Sequence, residues 1–322
     1  MQRILSRGEI EGLDHTLIPR VILPEPSSVF ADRAARMRML AKDHSLSGYL
    51  LLMAHVADAQ QHALLSYSGE RVSDAQVSRA QSYGMPPLQA VGAPRDRRWR
   101  DILDSMLAHV TAASGVPAPA IDICRALQDL ASRDPDALEA LADKLLDGRE
   151  GEVDSAAAPG AAAPGAMAPF VMSALQVVWT AQAGVFDHKQ LPVVSPFGVC
   201  PACGSLPVAS IVRVGGRRDG CRYMCCGLCA TEWHLVRVVC SHCEETKDVA
   251  YHSIEGGSDA IKAESCDHCR VYRKIFYQEK DLYVDPVADD LATLTLDVLM
   301  GQEGYSRASG NPLLWQPTEA EG

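Results

Sequence analysis

CPACG (200–204), CGLC (226–229), CSHC (240–243) and CDHC (266–269) decide how this chain is read. The intervals from Cys203 to Cys226 and from Cys243 to Cys266 each hold 22 residues, so one unit, C-x2-C-x22-C-x2-C, is written twice in tandem. Two intervening residues let the backbone close a tight knuckle that presents two thiolates to one ion. Two knuckles joined by a hairpin complete a tetrahedral four-sulfur shell, which suits Zn(II) or a single rubredoxin-type iron. Pro201 and Gly204 favour the first knuckle, glycine because it accepts the left-handed turn that aims N–H groups at sulfur. Each unit also carries a Gly-Gly pair where a hairpin turn would lie, Gly215-Gly216 and Gly256-Gly257. The expectation is two metal ions, one per unit, on Cys200, Cys203, Cys226 and Cys229 and on Cys240, Cys243, Cys266 and Cys269. The matched gaps favour this sequential assignment over a crossed one.

Disulfides, redox-active pairs and buried free thiols are the alternatives. The opening MQRILSRGEIEGLDHTL (1–17) lacks the apolar core of a signal peptide, so the expected compartment is the cytoplasm, where disulfides do not persist. Cys124, Cys221 and Cys225 stand outside the repeat. Cys124 shares helical spacing with Ile121, Leu127 and Leu130 and reads as a buried thiol. Cys225 reads as a small side chain on the strand entering a knuckle, with a place in the shell or a redox role as alternatives. His234, His242 and His268 are not needed as ligands when eight cysteines fill two shells.

At 322 residues the chain can form more than one domain. Its 41 acidic against 30 basic residues, net −11, argue against nonspecific nucleic-acid binding, and no apolar run approaches the ~18 to 20 residues that cross a bilayer.

The predicted class is α+β. Residues 1–190 form an α-helical domain, 191–238 the first metal module, 239–284 the second, and 285–322 a C-terminal helix and tail. Within the first domain residues 1–26 read as an irregular arm, because Pro19, Pro24 and Pro26 interrupt helix. A helix then starts at Ser27 or Ser28 with Phe30, Ala34, Met37 and Leu40 on its apolar face and Arg33, Arg36, Arg38 and Lys42 opposite. Further helices are expected from Leu46, around Ile102–Val110, over 121–132 and from Asp134-Pro135 to Gly148. The run GEVDSAAAPGAAAPGAMAP (151–169) is expected to be a mobile loop, and FVMSALQVVWTAQAGVF (170–186) a helix that the earlier ones must cover. VASIVRV (208–214), WHLVRVV (233–239), VAYHSI (249–254) and VYRKIFY (271–277) read as strands. Asp285-Pro286 is expected to open one helix that runs to Gly301, with Asp289 and Asp290 offsetting its macrodipole.

No phosphate-binding loop, nucleophile elbow or His-Glu-x-x-His motif is found, and two closed shells leave no open coordination position, which points to a binding protein rather than an enzyme.

From SPFGVCPACGSLPVASIVRVGG (195–216) through TEWHLVRVVCSHCE, IEGGSDAIKAESCDHC, IFYQEKDLYVDPVADDLATLTLDVLM and EGYSRASGNPLLW (303–315), the chain resembles the formate dehydrogenase accessory protein family FdhE. RAARMRMLA (33–41) carries the likeness more loosely into the helical half. The resemblance implies a cytoplasmic assembly factor, not an enzyme. Such a factor binds the catalytic subunit of respiratory formate dehydrogenase before its twin-arginine export. It further implies that the eight paired cysteines are ligands in rubredoxin-like modules, with iron favoured and zinc the second choice. Cys221 and Cys225 have no place in the family pattern. A homodimer stays open. Two rivals are a rubredoxin-like redox protein and a zinc-ribbon nucleic-acid module, the latter supported locally by Arg213, Arg217, Arg218, Arg222 and Arg237. TEWH (231–234) and YQEKD (277–281) are candidate partner contacts.

Overall fold

The computed structural model describes residues 18–148 and 164–314. The first half is helical: α1 (Val29–Leu40), α2 (Ser47–Ser66), α3 (Asp74–Tyr83), α4 (Trp99–Ala112), α5 (Ala118–Arg133), α6 (Pro135–Asp147) and α7 (Pro164–Gly184). The caps follow local chemistry. Ser73 accepts a hydrogen bond from Gln76 N to start α3. Asp134 accepts one from Ala137 N ahead of Pro135, and Gly148 ends α6 in the left-handed conformation. Ser28 stands at the start of α1 but makes no side-chain cap.

α7 is the centre of this half. Phe170, Val171, Ala174, Leu175, Val177 and Val178 are all buried, against α2, α4, α5 and α6. Each large apolar side chain sealed there contributes about 1.5–3 kcal/mol. Residues 164–169, expected within a mobile loop, instead form the first turns of α7, with Pro169 inside the helix and Ser173 Oγ hydrogen-bonded to its carbonyl. Residues 151–163 of that expectation lie outside the described part.

Among the described residues one sheet holds β1 (Val21–Ile22), β2 (Pro207–Val212), β3 (Arg222–Cys226), β4 (Glu232–His234), β5 (Val249–His252), β6 (Ile261–Cys266), β7 (Val271–Tyr277) and β8 (Ser306–Arg307). Its order is β1-β4-β3-β2-β7-β6-β5, with β8 also beside β7. The β2–β3 hairpin and the β5–β6–β7 meander are antiparallel. β2 and β7 meet in parallel, Ser210 opposite Ile275 and Val212 opposite Tyr277. The two cysteine modules therefore share one sheet. All six residues of β2 are buried, which is why VASIVRV carries no true inside-outside alternation.

Several expectations change here. Part of the arm at 1–26 is strand: Val21 pairs with Trp233, more than 200 residues later. WHLVRVV is strand only to His234, after which the chain turns through Val238 at φ +61°. The expected C-terminal helix is two short ones, α8 (Ala288–Leu291) and α9 (Leu294–Gln302), with Gly301 inside the second. Asp285 accepts hydrogen bonds from Val287 N and Ala288 N, which starts α8.

The charges deviate most. Arg33 and Arg36, expected opposite the apolar face of this helix, are buried between α1 and α8. Arg33 pairs with Asp285; Arg36 pairs with Asp289 at 2.6 Å and Asp281 at 2.7 Å. Asp290 is likewise sealed and holds Lys274 at 3.2 Å and Arg307 at 2.5 Å. Asp289 and Asp290 are thus ion-pair partners for distant arginines and a lysine, and the macrodipole reading fails because they face the core.

Candidate metal centres

The first and third knuckles are turns closed on their own backbone. Gly204 N donates to Cys200 O at 2.9 Å and Glu244 N to Cys240 O at 3.0 Å. The residue following each knuckle, Gly204, Ala230, Glu244 or Arg270, lies in the left-handed region at φ +81°, +56°, +63° or +55°. Only the first of the four is the glycine that this conformation favours.

The sequential assignment matches the geometry. Cys200, Cys203, Cys226 and Cys229 gather into one cluster and Cys240, Cys243, Cys266 and Cys269 into another, all sulfurs of a cluster within 4.8 Å of each other. The nearest pairs are Cys200–Cys229 at 3.6 Å and Cys203–Cys226 at 3.4 Å in the first, Cys240–Cys269 at 3.7 Å and Cys243–Cys266 at 3.8 Å in the second. A tetrahedral ion with metal–sulfur bonds of about 2.3 Å has sulfur edges of about 3.8 Å. Disulfide sulfurs would lie about 2.05 Å apart.

The first cluster is sealed. Its four cysteines are all buried, and burial pushes the Cys200 and Cys226 thiols well above the ordinary range. Four thiolates there require a cation. Backbone N–H groups of Leu228 and Cys229 point at Cys226 Sγ at 3.3 and 3.4 Å, and Thr231 Oγ1 lies 3.2 Å from Cys229 Sγ. The helical half grips this cluster. Leu88 N and Ala90 N donate to the carbonyls of Ala202 and Cys203, Trp179 Nε1 of α7 donates to Leu88 O, and Gln176 Nε2 of α7 donates to Gly227 O.

The second cluster is half-open. Cys240 and Cys266 are buried, but Cys243 and Cys269 are partly exposed. Its ties run to the sheet, to the loop before the first knuckle and to the C-terminal segment, where Arg270 Nη2 donates to Glu303 O at 2.7 Å and Tyr305 Oη donates to Asp267 Oδ1. Arg273 Nε donates to Ser241 Oγ at 2.9 Å, and Phe197 N donates to Glu244 Oε1 at 3.1 Å.

Cys124 is buried in the helical core, as its spacing suggests. Cys225 lies on β3 with its side chain away from the shell, at 5% exposure, and lines a cleft of about 650 Å³ between α1 and the sheet. Its neighbours Arg213 and Glu232 form an ion pair. His242 and His268 join neither cluster. Of TEWH, Thr231, Glu232 and Trp233 are buried and His234 is half-buried, and Trp233 Nε1 donates to Phe197 O at 2.8 Å. Thr231 as a support for Cys229 was not singled out from the sequence, where a threonine two residues past a knuckle carries no distinctive signal.

Of the five arginines that supported a nucleic-acid module, Arg213 is paired with Glu232 and Arg222 is buried against Glu264 at 2.6 Å. Among the described residues no helix is long and apolar enough to cross a membrane.

Comparison with known proteins agrees over nearly the whole chain. Sequence profiles described as FdhE N-terminal, FdhE central domain and FdhE C-terminal domain match residues 18–195, 199–237 and 238–314. The chain is 39% identical to the protein FdhE homolog of Cronobacter sakazakii and 38% identical to protein FdhE of Salmonella arizonae, each over 99% of both chains. The crystal structure of the FdhE protein from Pseudomonas aeruginosa superposes with a TM-score of 0.75 at 34% identity, covering 92% of this chain and 99% of that one. The chain belongs to the FdhE family.

Proposed function

We propose that this protein is a non-enzymatic accessory factor that binds the catalytic subunit of formate dehydrogenase in the cytoplasm and supports its maturation before twin-arginine export. Each four-cysteine cluster holds one metal ion, iron ahead of zinc. The observation that carries this reading is the pair of closed four-sulfur shells, built into the same sheet and tied to a helical body. Such shells fix a surface and offer no open position for substrate. A bound ion would cross-link its two knuckles, and iron would add a one-electron couple. The protein's own residues supply the rest: N–H groups that stabilise thiolate sulfur, and Thr231 beside Cys229.

A redox reading is favoured by one feature, the partial exposure of Cys243 and Cys269, which gives solvent and partners access to the second shell. The division into a helical domain to residue 190, two metal modules and a C-terminal segment is proposed as the order of assembly units within the shared sheet.

The test is an anaerobic affinity capture from cells that express formate dehydrogenase, with elemental analysis of the eluate. Recovery of the unexported catalytic subunit with about two metal ions per chain, the content of two four-cysteine shells, supports the proposal. Metal without the subunit supports the redox reading instead.

A further inference from the structure

The tip of the β2–β3 hairpin holds arginines that pair with no carboxylate among the described residues. Arg217, Arg218 and Arg237 are exposed, and among the described residues none has a carboxylate or other hydrogen-bonding partner, whereas most arginines of this acidic chain are ion-paired. The three are brought together by topology. Arg217 and Arg218 sit in the turn that joins β2 to β3, and the Arg237 guanidinium reaches within 3.9 Å of the position a Cβ would take on Gly220, in the same turn. Asp219 in the same turn is exposed and accepts from Gly215 N at 3.0 Å, without an ion pair to any of the three arginines. Lys262 extends the patch, lying over the Tyr277 ring at 5.4 Å.

Apolar surface borders these cations. Val236 and Val238 flank Arg237 at 55% and 52% exposure. Val238 is also held at φ +61°, a conformation that a β-branched residue strongly disfavours and that tends to persist where a surface is used. On the other side Arg218 forms one wall of the 650 Å³ cleft, whose rim carries Met39, Leu282 and Tyr283, all exposed.

We infer that this hairpin tip and the adjoining cleft form a docking surface for a segment of a partner protein that presents acidic side chains beside an apolar one. Charge complementarity selects the acidic component, because three unpaired guanidinium groups on a chain of net charge −11 gain most from carboxylates brought by a partner. The net charge of −11 and the aliphatic side chains Val236, Val238, Met39 and Leu282 favour protein over nucleic acid, Tyr283 being the one exposed ring named on this surface. Arg213, Arg33 and Arg36 deeper in the cleft are already paired, so the recognition charge is that of the tip. The inference rests on the accessory-factor reading and adds to it the face that meets the partner.

The experiment measures binding of the purified catalytic subunit of formate dehydrogenase to the full-length, metal-loaded protein at low and moderate salt. The wild type is compared with Arg217→Glu/Arg218→Glu/Arg237→Glu, with Leu282→Asp/Tyr283→Ala, and with a control, Arg71→Glu/Arg79→Glu. The control arginines are also exposed but line a separate cleft. The hairpin-tip variant is expected to bind at least about tenfold more weakly and to lose most of the salt dependence, while keeping its metal content and helical circular dichroism. The rim variant weakens binding through an unrelated loop and guards against a local folding defect at the hairpin. Undiminished binding by both variants, or equal weakening by the control, overturns the assignment of this surface. Failure of the wild type to bind overturns the accessory-factor reading itself, and the surface with it. Retention of a single-stranded oligonucleotide by the wild type that is lost on charge reversal overturns the choice of a protein partner.

Discussion

The two four-cysteine clusters are copies in sequence and opposites in setting. Both use two knuckles 22 residues apart, and both gather four sulfurs within 4.8 Å of one another, close enough to be the corners of one tetrahedron. The first has all four cysteines buried, and its knuckles receive backbone and side-chain hydrogen bonds from the segment after α3 and from α7. The second leaves Cys243 and Cys269 partly open next to β5, the edge of the sheet. Spacing fixes which atoms can bind an ion, and packing decides how readily that ion leaves. The first cluster is thereby part of the hydrophobic core, while the second is a surface fixture of the same chemistry.

The largest expected effect comes from removing ligands. Cys200→Ser/Cys203→Ser should abolish cooperative unfolding of the entire chain, helices included, because a structural ion contributes on the order of 10 kcal/mol and α7 loses its contacts to the knuckles. Cys240→Ser/Cys243→Ser should lose one ion per chain yet keep a cooperative helical transition. Metal analysis and thermal circular dichroism read both, and equal damage would break the contrast.

Next is the buried pair that crosses from one module to the other, Arg222 on β3 with Glu264 on β6, at 0% and 3% side-chain exposure. Arg222→Ala strands a buried carboxylate and should cost about 3–5 kcal/mol in urea unfolding, whereas Arg222→Met/Glu264→Leu should recover most of it. If the two variants were equally unstable, the ion pair would not be the link between modules.

A smaller effect separates the clusters kinetically. Under a chelator with a thiol-reactive probe, the second ion should leave at least about tenfold faster than the first, a difference of about 1.4 kcal/mol in barrier. Biphasic release with Cys243 and Cys269 modified first, located by mass spectrometry, is the expected result.

The smallest concerns the left-handed residues behind the knuckles of the sealed cluster. Gly204→Ala should destabilise by about 1 kcal/mol, since φ +81° disfavours a Cβ and Pro86 lies 3.4 Å from where it would sit. Ala230→Gly, at φ +56°, should stabilise by about 0.5 kcal/mol, the strain relieved exceeding the entropy added. Shifts of the same sign in the two variants would count against a shared knuckle geometry.

What the sequence made legible was local. Two residues between cysteines, an Asp-Pro at a helix start and a Gly at its end act within a few bonds, so the knuckles and α6 could be read directly. Arg36 and Asp289 stand 253 residues apart, and nothing near either one distinguishes a buried ion pair from a solvated helix face or a macrodipole partner. Of β3, RYMCC, the sequence marks only the end at Cys225, and β6, IKAESC, goes unmarked for a related reason. With β3 buried throughout and β6 buried from Ala263 to Cys266, the alternation that marks a half-exposed strand is missing. The sharing of one sheet by two modules was hidden too, because the β2–β7 pairing joins segments from opposite ends of the repeat.

The pairing of β1 with β4 sets a timetable for synthesis. Val21 leaves the ribosome more than 200 residues before its partner Trp233, roughly 10–40 s at ordinary elongation rates of ~5–20 residues per second. Throughout that interval the N-terminal strand has no edge to join. Its place is completed only after the second knuckle of the sealed cluster, at Cys226 and Cys229, has emerged and β4 has formed behind it. β1 is therefore among the last elements to settle, after the knuckle whose two cysteines would help to hold a metal ion.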